Sequence, residues 1–425
     1  MSISRGVVAF ALVSLSGCSP KDSSDSGGST GAGAATEAPT WHTDVRPIIE
    51  SSCAGCHTAG GSGGFDLETY EDVRLIKDAV ADSVASRRMP PWKAVDGCTE
   101  YEHDISLSDE EIATLVDWAA ADAPAGDESE SRMGTPPEVG GLDRVDLTLS
   151  LPIPYEVNTE LADDYRCFTV EWPMEEDVYV TGYQVNPGRA DLVHHMIAFI
   201  VPGSYAEALA EMETEDDRPG YSCYGGIRAV DQIDSAWLGA WAPGAVQGEL
   251  PNGLGMRMEA GNLLVLQMHY NNASGAEGFD QSTIDFQIDS EVERVGWIQP
   301  FTNPLWVLAG GMDIPAGAVG AEQSYEGVLP RDLTVHTANL HMHTMGRTGR
   351  MEVERSDGSK DCMIQIDDWD FDWQRTYQFA EAIQVKEGDT WRLECTWDNP
   401  TDVDVDWGEG TGDEMCLGTA LVSLD

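Results

Sequence analysis

Five of the nine histidines in this chain fall in three short motifs. His194 and His195 are adjacent, His269 follows Gln267-Met268, and His341 and His343 flank Met342. A sixth residue, Met415, sits in Asp413-Glu414-Met415-Cys416. Imidazole suits copper in either oxidation state, and a thioether favours Cu(I). His194, His195 and His269 therefore read as one copper site, and His341, His343 and Met415 as a second, unequal one. Two unequal sites are a redox pair, which is more than a store for metal. A lone histidine is ordinarily a hydrogen-bonded polar residue, and a lone methionine is as often core. The clustering makes these ligand candidates.

A second chemistry precedes them. Cys53-Ala54-Gly55-Cys56-His57 has the spacing of haem c attachment. Two thiols one helical turn apart reach both vinyl groups, and the following histidine lies under the iron. No second Cys-x-x-Cys follows, which argues against zinc. The sixth-ligand candidate is Met89 in Arg88-Met89-Pro90-Pro91-Trp92, where two prolines hold an extended loop, and His103 competes with it. A methionine opposite the histidine would raise the haem potential.

These residues need elements to carry them. Residues 41–52 read as an amphipathic helix entering the haem motif, and 60–64 as a loop. Val73, Ile76, Val80 and Val84 have helical spacing within 66–86. Ser108 to Glu111 is a capping box before a last helix with Ile112, Leu115, Val116 and Ala119 on one face. Residues 40–127 are thus expected to form a small all-α domain of the class I c-type cytochrome kind. A linker rich in Pro, Gly and acidic residues follows at 128–145.

Beyond it the chain is mainly β, with short strand-like runs between turn residues at 178–185, 192–201, 263–269, 283–288, 334–343, 349–355 and 391–396. Residues 204–213 are the main helical exception. Two antiparallel β-sandwich domains are expected, at 146–290 and 291–425. His341 and His343 share one face of a strand, whereas His336 points away and reads as structural. His194 and His195 should point to opposite faces. For both to reach one metal, the strand must twist or bulge, or the two rings must use different nitrogens; mixed Nδ1 and Nε2 use is the expectation.

The formal charge of -51 is spread along the whole chain. It excludes nucleic acid as a natural partner and disfavours anionic membrane surfaces. Residues 1–18 read as a signal peptide, with Arg5, an apolar run, and Leu15-Ser16-Gly17-Cys18 resembling a bacterial lipobox. Cys18 would be acylated, and Ser19 after it favours the outer membrane. The expected localisation is an exported, outer-membrane-anchored lipoprotein facing the periplasm or cell surface, with the lipid as its only membrane contact. Residues 19–39 read as a flexible tether. Setting aside Cys18, Cys53 and Cys56 leaves Cys98, Cys167, Cys223, Cys362, Cys395 and Cys416, an even number that suggests disulfides.

Residues 146–425 resemble the type II, ascorbate-dependent copper monooxygenases, the peptidylglycine α-hydroxylating and dopamine β-hydroxylating enzymes. The resemblance rests on Tyr165-Arg166-Cys167, Val193-His194-His195-Met196, Trp241-Ala242-Pro243-Gly244, Leu266-Gln267-Met268-His269-Tyr270, His341-Met342-His343 with Gly346, and Cys395-Thr396 up to Asp413-Glu414-Met415-Cys416. It implies two jelly-roll-like sandwiches whose two copper ions face each other across a solvent-filled cleft. His194, His195 and His269 would hold the electron-transfer copper, and His341, His343 and Met415 the copper that binds O2. Gln267 would help couple substrate or electrons, and Cys395 would pair with Cys416. The other pairings stay open, with Cys167 to Cys223 as one reading.

The resemblance further implies hydroxylation of an activated C–H bond of a small-molecule substrate, with ascorbate as reductant. The haem at Cys53, Cys56 and His57 would relay electrons, fed by a periplasmic donor. Asn339 stands where peptide-hydroxylating members carry a carboxylate-clamping Arg, and Leu417 and Thr419 replace an Asn and a Tyr. Peptide amidation is therefore not expected, and Arg347 and Arg350 read as surface cations. The alternative is a surface-anchored haem and copper electron-transfer or copper-handling protein without hydroxylase activity.

Overall fold

The computed structural model describes residues 38–424 apart from 60–62, 137–139, 225, 229, 231–233, 243–246, 252 and 272–275. The signal segment, Cys18, most of the tether, residues 60–62 of the 60–64 loop, and Pro243 and Gly244 of the Trp241 motif lie outside the described residues.

Short helices open the described chain. A single π-helical turn, Trp41–Val45, runs into Arg46–Ser52, where Pro47 at the first turn costs no hydrogen bond. The periodic stretch expected as one helix is broken into Tyr70–Leu75 and Lys77–Ala85, because Ile76 leaves helical backbone angles. Thr69 caps the first piece through a box with Asp72. Ser108 and Glu111 form the expected capping box on Asp109–Ala120. Trp41, Val45, Ile49, Val73, Val84, Leu115 and Trp118 pack into one core. Trp118 belongs to the buried face of the last helix, while Ile112 and Val116 sit at its edge.

Residues 93–102 leave this cluster and clamp onto the C-terminal β-region. Ala94 bridges to Ile366 and Tyr101 to Phe379, and Cys98 is disulfide-bonded to Cys362. Tyr101 donates to the Met363 carbonyl at 3.0 Å. Trp92, Tyr101 and Tyr377 meet ring to ring at 5.0–5.9 Å. Ala94 and Tyr101 thus bury apolar surface in the core of the C-terminal sandwich.

The rest is mainly β. A five-stranded sheet holds Asp163–Glu171, Leu263–Asn271 and Val193–Val201 side by side. A four-stranded sheet contains Gly346–Glu354 and Thr390–Asp398. One long sheet backs both of them. Strand Leu254–Met258 of the first half pairs parallel with Arg294–Phe301 of the second, so the two halves share a continuous sheet. Leu421, from the second half, packs in the first half's core. Strand periodicity cannot reveal such a join, because it depends on which edges meet. The expected helix at 204–213 is present as Ala206–Glu215. Among the described residues, no helix is long and apolar enough to cross a membrane.

Candidate metal centres

Strand Val193–Val201 pairs antiparallel with Leu263–Asn271, and His195 stands directly opposite His269. The next pair is Tyr270 with Val193, so His194 is the extra residue of a β-bulge. A bulge breaks the strict alternation of faces, and both adjacent histidines turn to the same side. The three Nδ1 atoms lie 3.2–3.3 Å from one another. Ligands roughly 2.0 Å from a common centre in tetrahedral geometry are about 3.3 Å apart. The spacing therefore fits a metal ion held by three imidazoles. All three rings offer Nδ1, which corrects the expectation of mixed nitrogen use: the bulge alone reorients the rings.

The outer partners fix these rings. Asp163 accepts from His269 Nε2 at 2.9 Å, which leaves Nδ1 as the ligand atom. Burial alone would raise the Asp163 carboxyl, but hydrogen bonds from His269, Thr411 and Asn271 outweigh it and hold it below its usual range. Tyr165 stacks on His269 at 4.0 Å and donates to the Glu409 carbonyl at 2.5 Å. Burial, then the neighbouring histidines, pulls His194 down to about 4, and His195 is also lowered. Both rings are thus neutral near pH 7, the form that binds metal.

The second set is built differently. His341 ends strand Leu333–His341, and His343 lies just past it, with ring centres 5.1 Å apart. His341 Nδ1 meets Gln374 Oε1 at 2.5 Å, and His343 Nδ1 donates to the Asp413 carbonyl at 2.9 Å. Both Nε2 atoms are left for a ligand. Burial, then His343, pulls His341 down to about 3.

Met415 is partly buried, between two anchors. Glu414 accepts from the backbone N–H of His343 at 2.8 Å and of Met345 at 2.6 Å, and from Trp397 Nε1 at 2.9 Å. Burial pushes the Glu414 carboxyl up to about 7 against these donors. On the other side, Cys416 is disulfide-bonded to Cys395. The Met415 loop is thereby tied to the His343 loop.

Residues absent from the sequence reading join the two sets. The Phe371 ring stacks on His194 at 4.8 Å and meets His343 edge-on at 6.0 Å. One aromatic ring thus reaches both sets. Phe371 belongs to the loop 367–376, which also supplies Gln374 and sends Trp369 Nε1 to the His343 carbonyl at 3.0 Å. The alternation Trp369, Phe371, Trp373 was the available signal, since alternate residues of an extended segment share a face. Nothing in the sequence pointed to Gln374.

Gln267 is buried, and its amide donates to the Cys223 carbonyl beside the Cys167–Cys223 disulfide. Asn339 donates to the Arg375 carbonyl at 2.9 Å. Arg347 pairs with Asp398, and Arg350 with Glu352. His336 hydrogen-bonds Ser423 away from both sets.

At the other end, Cys53 and Cys56 are unbridged thiols. Burial, then Cys56, pushes the Cys53 thiol up to about 12. His57 Nδ1 faces the Phe65 carbonyl at 3.2 Å, which leaves Nε2 free for a ligand. A Cβ on Gly63 would sit 2.4 Å from His57 Nδ1, so only glycine lets the ring lie there. Met89 follows the helix Lys77–Ala85, and its N–H donates to Ser83 O. The His103 carbonyl accepts from Arg375 at 3.5 Å.

Two β-sandwiches, one carrying three converging imidazoles and the other a neighbouring pair, define a β protein whose candidate ligands gather in two sets. Residues 153–277 match the N-terminal domain of the copper type II ascorbate-dependent monooxygenases, and residues 321–418 match their C-terminal domain. The two matches span about half of the chain, which belongs to this family. A human DBH-like monooxygenase protein 2 is 26% identical over 46% of this chain and 41% of its own length. Peptidyl-glycine alpha-amidating monooxygenase A of Xenopus laevis is 30% identical over 34% of this chain and 14% of its own. The chain thus spans less than half the length of these relatives. Among solved structures, PNGF-II superposes with a TM-score of 0.32 at 10% identity over 65% of each chain, too loosely to carry an argument.

Proposed function

We propose that this protein is a copper-dependent monooxygenase that uses O2 to hydroxylate an activated C–H bond of a small-molecule substrate. The observation that carries the reading is the convergence of three Nδ1 atoms at 3.2–3.3 Å within the family's N-terminal domain. Copper at the two sets supplies one-electron redox chemistry and a place for O2. The three-histidine set is the electron-transfer site. Asp163 locks the tautomer of His269, and burial keeps the His194 and His195 rings neutral. His341, His343 and Met415 form the O2-facing site. Gln374 and the Asp413 carbonyl orient its rings, and Glu414 and the Cys395–Cys416 bridge hold its thioether loop.

The substrate is held without a carboxylate clamp at Asn339, whose amide is committed to the Arg375 carbonyl. Electrons come from ascorbate or from a c-type haem. The free thiols of Cys53 and Cys56 and the available Nε2 of His57 fit such a group, with Met89 or His103 as sixth ligand. The haem would supply single electrons from a periplasmic donor. The protein is exported and anchored to the outer membrane through lipid on Cys18.

The test uses the full-length protein, ascorbate, ¹⁸O2 and a panel of small molecules. About two coppers per chain and label in one product are expected. Two coppers and a redox-active haem with no label in any product would sink the monooxygenase reading and leave an electron-transfer protein.

A further inference from the structure

Arg375 is a cation without a visible counter-charge. Its side chain is half-buried, and burial pulls its guanidinium down from its usual value. A guanidinium offers five N–H donors. Among the described residues, one acceptor meets them, the His103 carbonyl at 3.5 Å. Tyr377 and Asp104 act on it through space, and no carboxylate lies within ion-pair distance among the described residues. A charge taken out of water without a partner is costly, and the usual resolution is an anion in contact with it.

Its position says which anion. The guanidinium carbon lies 4.6 Å above the Trp92 ring, in the segment that follows Met89-Pro90-Pro91. It touches His103, the other candidate sixth ligand, and lies in electrostatic reach of Cys56. Its backbone is held in place by Asn339, and the preceding residue, Gln374, meets the ring of His341. The surrounding segment is clamped by the Cys98–Cys362 disulfide and by Lys93, which pairs with Asp368 and Asp370 of the same loop.

We propose that Arg375, contributed by the copper-binding half, is the counter-ion of a carboxylate on the haem attached at Cys53 and Cys56. The guanidinium fork suits a carboxylate in two-point contact. The loop 367–376 then touches three centres: Arg375 the haem, Gln374 the His341 ring, and Phe371 both imidazole sets. The inference rests on the haem reading above.

Redox potentiometry of the full-length holoprotein tests it. Arg375→Gln removes a positive charge beside the haem and favours the ferric form. A shift of roughly tenfold in the ferric/ferrous equilibrium is expected, about 59 mV downward for one electron. Arg375→Lys restores most of it. If Arg375→Gln does not accumulate, Arg375→Lys is read by the haem propionate bending band in resonance Raman, which should move. An unchanged band or an unchanged potential, with haem still covalently attached, overturns the proposal. A wild-type protein without covalent haem overturns the haem reading itself, a separate outcome. Benzoate should leave the wild-type potential alone. A benzoate effect that Arg375→Gln abolishes would assign the residue to a soluble carboxylate, and the haem assignment would fall.

Discussion

The two imidazole sets differ in what holds them. His194, His195 and His269 lie on paired neighbouring strands, and the backbone ladder fixes their spacing. His341 ends a strand, His343 follows it, and Met415 arrives on a loop tied down by Glu414 and the Cys395–Cys416 bridge. The first set is rigid because its scaffold is a sheet. The second is assembled from separate pieces, held together by the Glu414 hydrogen bonds and the Cys395–Cys416 bridge. On the proposed roles, a relay that changes only its charge would be served by the sheet-borne set, and a site that admits O2 by the loop-borne one.

Substitutions can break this contrast. His269→Ala has the largest expected effect: copper falls to about one per chain and hydroxylation is lost, because a two-ligand remnant binds weakly. Metal analysis and EPR should show the His341, His343 and Met415 copper unchanged; loss of both coppers would mean that the sets are not independent. Cys416→Ser comes next. Loss of this bridge should cost about 2–5 kcal/mol of stability, read by thermal unfolding. It should also broaden the EPR signal of the second set while sparing the first.

Asp163→Asn sharpens the comparison. It keeps the shape but removes the charge that holds His269 Nε2, and metal affinity of the three-histidine set should drop about 10–100-fold. Competition titration with a chelator checks this, and an equal drop at both sets would refute the assignment of Asp163 to one of them. Phe371→Leu is the smallest change. It loses a ring contact worth about 0.5–1.5 kcal/mol and should alter the magnetic coupling between the two coppers more than either affinity. Unaltered coupling would mean that the ring does not set the separation of the sets.

Much of this was legible in residue types. The three converging histidines, the even set of cysteines, the Ser108 capping box and most strand positions followed from chemistry and period. The Cys395–Cys416 pairing implied by the family resemblance is present, as is Cys167–Cys223. Ile76 broke an expected helix because apolar spacing reports a buried face and does not report a kink within it. Cys98 to Cys362 was beyond reach, since 264 residues separate the partners.

The sequence by itself determined which side chains are candidate ligands, since ligand preference belongs to side-chain chemistry and needs no fold. Only the tertiary structure decided which nitrogens face inward, because a one-residue bulge sets ring direction. It also decided that Phe371 and Gln374 reach the ligand sets and that Arg375 lies over the Trp92 ring. Those contacts join segments far apart in the chain, and burial against a shared sheet, not local pattern, brings them together.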